Sequence, residues 1–147
     1  MLRENVRMKN SSLQFTNPVL TECFFSINNK YDSKNDRREA VIEAELGIGD
    51  KDNAKRECLV MLRLNIGIDT ENNNFPFIIK IAMVANFKWD KTFDDKIDNL
   101  LTINAPALLL GYMRPIVANL TNNSPFPVYN IPFMNFVDKD ITVNNLK

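Results

Sequence analysis

The sequence predicts an α+β fold, an antiparallel sheet followed by a long helix, and three observations lead to it. Apolar residues recur with period two through residues 57–69 and again through 77–89. Helical spacing appears only afterwards, over residues 92–103 and then from Ala105 to Leu120. The connections between the alternating stretches are short and polar, which makes successive strands antiparallel neighbours. A chain of 147 residues fits one domain, long enough to bury a core.

Taken in order, residues 13–27 (LQFTNPVLTECFFSI) are extended and broken at Pro18, and residues 28–38 are polar and turn-forming. In residues 40–48, Ala40, Ile42, Ala44, Leu46 and Ile48 share a face opposite Glu43 and Glu45. The stretch GDKDNAKR is a hairpin loop, followed by a strand whose even positions, Cys58 to Ile68, are all apolar. After the polar residues 70–74, Phe77, Ile79, Ile81, Met83, Ala85, Phe87 and Trp89 make one face of the next strand. The opposite faces of these two strands carry Leu59, Met61, Ile78 and Val84, more apolar surface than a solvated face needs. A subunit, an arm or a ligand is expected to cover part of it.

Phe93, Ile97, Leu100 and Leu101 are spaced for a helix over 92–103, with Thr92 as its N-cap. Leu109, Tyr112, Ile116 and Leu120 then form one stripe of a second helical stretch. Pro115 lies inside it, and the Gly111 carbonyl four residues earlier loses its donor, so a kink is expected there. Residues 122–136, NNSPFPVYNIPFMNF, fit neither helix nor central strand, because Pro125, Pro127 and Pro132 remove donors and fix φ. They are also too apolar for a solvated loop. Two readings stand: an ordered segment packed on its own core, or one wall of a groove for extended apolar peptide.

Composition excludes several chemistries. The chain has no histidine, which removes the commonest general base and the usual triads and zinc sites. Four glycines make no phosphate-binding loop. The pairs Asp50/Asp52 and Asp94/Asp95 fall in a turn and a helix start and read as solvated structural groups. No enzyme, metal or cofactor is expected. Eighteen basic residues balance eighteen acidic ones, so there is no bulk field toward nucleic acid or an acidic membrane. The best basic patch, Lys34, Arg37 and Arg38, is interleaved with Asp32, Asp36 and Glu39. Cys23 and Cys58 have no metal or redox spacing and read as small buried hydrophobes of a reducing compartment. No apolar run reaches bilayer length and the start, MLRENVRMKN, lacks an apolar core, so the cytoplasm is expected.

The stretch Ala105 to Phe136 resembles the SecB family of protein-export chaperones. Pro106 opens the helix, Tyr112 and Arg114 form the family's Tyr-x-Arg, Phe126-Pro127 follows the turn, and Asn135-Phe136 closes the run. LQFTNP, with Leu13, Phe15 and Pro18, is similar to the family's first strand. The resemblance covers about residues 13–136 and implies a four-stranded antiparallel Greek-key sheet carrying a long helix on one face, assembled as a dimer of dimers. It also implies an ATP-independent holdase that keeps unfolded clients soluble in apolar grooves, for export or for a dedicated client such as an antitoxin. On that footing the client-binding candidates are Phe126, Val128, Tyr129, Ile131, Phe133 and Phe136, with Met61, Ile78 and Val84. The helix stripe of Leu109, Tyr112, Ile116 and Leu120 is the candidate oligomer interface. The chain departs from secretory members in being neutral, in carrying a short polar FVDKDITVNNLK after the Asn-Phe, and in placing Gly111 where the family has proline. These departures argue against docking to the motor SecA. The alternative is a SecB-fold interaction or nucleic-acid-binding module without holdase activity, separable by an aggregation assay.

Overall fold

The structure, a computed structural model, describes residues 10–35, 40–68 and 74–137 and the backbone of 142–145. Arg37, Arg38 and most of the 70–74 connection lie outside the described residues. The period-two stretches form the centre of one sheet: β4 (Glu57–Ile66) pairs antiparallel with β5 (Phe77–Trp89), and β3 (Ile42–Ile48) lies on the other side of β4. Residues 13–27 are extended and interrupted as the proline requires. β1 (Leu13–Phe15) and β2 (Val19–Ile27) both pair with β5, one after the other along its free side. Three hairpin-linked strands with the first segment returning beside the last make a Greek-key order.

Local chemistry sets the turns. At the β3–β4 loop the Asp52 carboxylate accepts from the Lys55 amide at 3.0 Å, and Arg56 adopts a left-handed φ of 52°. Gly67, after β4, has φ 73°, and a Cβ there would come within 2.2 Å of the Phe77 carbonyl oxygen, so only glycine fits.

β6 (Thr142–Asn145) was not foreseen in a segment read as a polar tail. It pairs in parallel with β3, Glu45 opposite Thr142 and Ile48 opposite Asn145.

The helical part also differs from expectation. The two predicted helices run together as one stretch, Lys91–Asn122. It comprises a 3₁₀ turn (Lys91–Lys96), a single α-turn, α1 (Ile97–Asn99), a π-turn (Leu100–Asn104) and the long α2 (Ala105–Asn122). Asp90, not Thr92, is the cap: its carboxylate accepts from the Thr92 amide at 2.9 Å. The π-turn sits where Pro106 needs it. A proline ring crowds the carbonyl four residues earlier, here Thr102, and the wider turn relieves that clash. The 32-residue stretch is long and apolar enough, by length and composition, to cross a membrane, in contrast to the shorter runs read from the sequence. Its Leu109, Leu110, Met113 and Val117 are instead buried against the sheet.

The core lies between the helix and the inner face of β3, β4 and β5, and all the predicted inner residues from Phe77 to Trp89 belong to it. Of the cysteines, Cys58 is buried and donates to the Gly49 carbonyl, and burial pushes its thiol above the ordinary value. Cys23, on the edge strand β2, is exposed.

Candidate functional site

The proline-rich arm after α2 is held by backbone-directed hydrogen bonds. The buried Thr121 hydroxyl donates to the Val117 carbonyl at 2.9 Å and accepts from the Tyr129 amide at 2.9 Å. Ser124 donates to the Thr121 carbonyl at 2.6 Å and accepts from the Phe126 amide at 3.2 Å. Farther along, the Arg114 Nε–H donates to the Ile131 carbonyl at 2.7 Å. These bonds supply partners that prolines cannot. They fix the arm against the helix at three levels.

So anchored, the arm divides its side chains. Ile131 is 0% exposed and Phe136 is buried, both within the core cluster. Phe126 and Tyr129 are half-buried, and burial raises the Tyr129 phenol above its ordinary value. Val128 is 44% exposed and Phe133 is 85% exposed, its ring held 4.3 Å from the Arg114 guanidinium. An arginine over an aromatic face is a favourable placement that keeps the ring presented to solvent.

Opposite Phe126 and Tyr129 lies a second aromatic wall from a distant segment. Asn28, itself buried, donates to the Phe75 carbonyl at 2.9 Å and accepts from the Lys30 amide at 3.0 Å. That clamp sets Tyr31 edge-on to Phe126, with centroids 5.1 Å apart. Phe75 meets Tyr129 edge-on at 4.9 Å, and Phe77 meets Phe126 at 6.0 Å. The result is a shallow open cleft of about 30 Å³ whose walls include Tyr31, Phe77, Phe126, Val128 and Tyr129. Apart from Val128 its walls are rings and prolines, and aromatic edges receive apolar side chains without orienting polar groups.

Of the nine client-binding candidates, three therefore line this cleft, Phe126, Val128 and Tyr129. Phe133 is exposed on the arm but is not part of the cleft wall, while Ile131 and Phe136 act as plugs in the subunit core. Met61, Ile78 and Val84 are not brought to the cleft. Side chains alternate along a strand, so Ile78 faces away from its neighbour Phe77. Met61 and Val84 are paired across the outer face, with Val19 next in the row. Beside them Arg63 bridges Glu45 at 3.2 Å and Glu22 at 3.5 Å, so two sheet carboxylates are neutralised.

The helix stripe is rotated by about one residue from its predicted position. Leu109 is 0% exposed and faces the sheet, whereas Leu108, Gly111, Tyr112 and Pro115 face outward. Ile116 and Leu120 are half-buried. Tyr112 also touches Phe15 of β1 edge-on at 6.0 Å.

Sequence reasoning missed Tyr31, Phe75 and Pro76, which lie outside any periodic stretch. The one legible hint was an aromatic-proline-aromatic triplet, residues 75–77, immediately before β5.

Comparison with known proteins bears on this arrangement. The family described as SecB, preprotein translocase subunit SecB, matches residues 9–139. The protein-export protein SecB of Actinobacillus succinogenes is 29% identical over 83 residues, 54% of this chain and 50% of that protein. That of Dinoroseobacter shibae is 26% identical over 88 residues, 59% of this chain and 51% of its own. The chain thus spans about half the length of the curated relatives it matches. Among solved structures, a SecB-like chaperone of Mycobacterium tuberculosis, in complex with a peptide from an antitoxin, has a similar fold. The TM-score is 0.61 with 13% identity, over 84% of this chain and 88% of that one.

Proposed function

The chain belongs to the SecB family, and from that premise we propose that it is an ATP-independent chaperone, a holdase that binds extended apolar segments of unfolded proteins. The observation that carries the reading is the aromatic cleft: rings from Tyr31, Phe75, Phe126 and Tyr129 are braced edge-to-face along its walls. Rigid walls bind without ordering themselves at the moment of capture, which leaves more of the contact energy for the client. Phe133 extends the apolar surface beyond the cleft. SecB family proteins are chaperones, not enzymes.

The client in this reading is a protein awaiting export or a dedicated partner such as an antitoxin. The latter draws support from the Mycobacterium tuberculosis chaperone of similar fold, whose bound peptide comes from an antitoxin. The working unit is a cytoplasmic homotetramer built as a dimer of dimers. Two apolar surfaces left open on the subunit support assembly. One is the edge strand β2, with Val19 57% exposed and Leu20 and Phe24 also open; the other is the outward helix stripe around Leu108 and Tyr112. An acidic docking face for SecA is not part of the reading, since Arg63 neutralises Glu22 and Glu45 on the sheet.

Light scattering of a denatured preprotein diluted into buffer tests the proposal. Stoichiometric chaperone tetramer suppresses aggregation without nucleotide. Absence of suppression, together with a salt-dependent shift of DNA mobility, would replace the holdase by a nucleic-acid-binding module.

A further inference from the structure

The edge of β3 is a second place where this subunit meets extended chain, and the structure already shows one occupant. Thr142–Asn145 lies along it in parallel, in the register Glu45–Thr142 to Ile48–Asn145. Three features make that occupant weakly held. It is four residues long, shorter than a typical strand. Its pairing is parallel and one-sided, the less stable arrangement per residue. Its sequence, Thr-Val-Asn-Asn, includes two asparagines, a residue depleted in strands. Among the described residues β3 is its principal neighbour.

The edge also leads somewhere. Where the β3–β6 register ends, at Ile48, a cleft of about 380 Å³ opens between residues 49–51 and the helical stretch. Ile48 and the buried Leu101 contribute apolar surface, and the Lys51–Asp98 ion pair borders it. The π-turn at Leu100–Asn104, imposed by Pro106, shapes the helical side. Because β6 runs parallel to β3, any longer strand in its place continues past Ile48 toward this cleft.

We propose that the β3 edge is a strand-addition site for an extended, uncharged client segment, with the chain's own Thr142–Asn145 as a replaceable occupant. Backbone pairing with β3 supplies sequence-tolerant affinity, and the cleft beyond Ile48 takes an apolar side chain from the residues that follow. A client segment rich in β-branched or aromatic residues pairs better than Thr-Val-Asn-Asn and displaces it. The self-strand then lowers apparent client affinity by the fraction of time the edge is closed. It also covers a sheet edge that would otherwise template aggregation. This inference rests on the client-binding reading above and adds a second, backbone-directed subsite to it.

Three proteins test it: the full chain, a chain lacking residues 142–147, and the full chain with Val143→Pro. The probe is a fluorescein-labelled peptide of alternating valine and threonine with a lysine at each end. Amide hydrogen exchange at residues 42–48 and peptide anisotropy are both read. The truncation and Val143→Pro speed exchange at β3, the peptide restores protection there, and its affinity rises about tenfold over the full chain. Equal peptide affinity in all three, with β3 amides that the peptide never protects, would overturn the strand-addition site. That result leaves the aromatic cleft untouched, since binding of a denatured protein lost on Val128→Asp reports on the cleft separately. Failure of both altered chains to fold would also overturn it, because a strand the fold requires is not a replaceable occupant. A mass increase on truncation would assign the edge to a second copy and count against the client.

Discussion

Ile131 and Phe133 stand two residues apart on one arm, and the arm's hydrogen bonds send them to opposite environments. Ile131 is closed in the core with its carbonyl held by Arg114, while Phe133 lies outside on the guanidinium. Ile131→Ala is expected to cost about 3 kcal/mol of stability, read from urea unfolding, by leaving a cavity. Phe133→Ala is expected to change stability by less than about 0.5 kcal/mol and to weaken capture of an unfolded protein. A second residue-level expectation concerns Asp94. It receives the Arg56 guanidinium at 3.0 and 3.1 Å and the Trp89 indole N–H at 3.0 Å. These bonds, the Arg56 bond foremost, hold its carboxyl below the ordinary 3.8. A carboxylate depressed in the folded state contributes stability that is fully present above pH 3.8 and is lost as pH falls through the lower folded value. Asp94→Asn therefore melts below the parent chain at pH 7, and the two converge in acid below that range.

At the scale of elements, the strands were legible because nothing competes with their period. The span of β5 follows the alternation of residues 77–89, and Pro18 marks the break between β1 and β2. The helix was legible in kind but not in phase or junction. Residues 92–103 and 105–120 each look helical, yet only the clash at Pro106 explains the π-turn that joins them. Leu108 and Leu109 are equally apolar, so composition does not say which one faces the sheet. β6 was not legible at all, since Thr-Val-Asn-Asn has little strand character and forms where a vacant edge offers partners. Half of the cleft was hidden for a related reason: Tyr31 and Phe75 meet the arm only through the tertiary clamp of Asn28. Pro115 is exposed inside α2, and Gly111 has open space around it. Pro115→Ala returns a donor to the Gly111 carbonyl and raises stability by up to about 3 kcal/mol in thermal or urea melts. Unchanged stability would show that the helix has already accommodated the proline.

For the whole molecule, the proposed assembly and the proposed client capture draw on different surfaces of one subunit. Leu108 and Tyr112 are exposed on the helix, Tyr112 at the border where it meets Phe15 of β1, and the aromatic cleft opens between the arm and the Tyr31 turn. Replacing Tyr112 with Glu places an unpaired charge on the outward stripe, which a desolvated interface does not accommodate. The variant is expected to sediment as a smaller species than the parent chain while keeping its melting profile. Sedimentation of the parent as a monomer would remove the assembly from the account.

The most direct measurement is anisotropy of a labelled, permanently unfolded protein titrated with the parent chain and with Val128→Asp. Val128 walls the cleft yet is 44% exposed, so the change leaves the fold intact. The account predicts binding by the parent that weakens about tenfold or more in the variant, because an apolar client segment would desolvate the charge. Identical affinity in two equally stable chains would contradict the cleft as the place where clients are held.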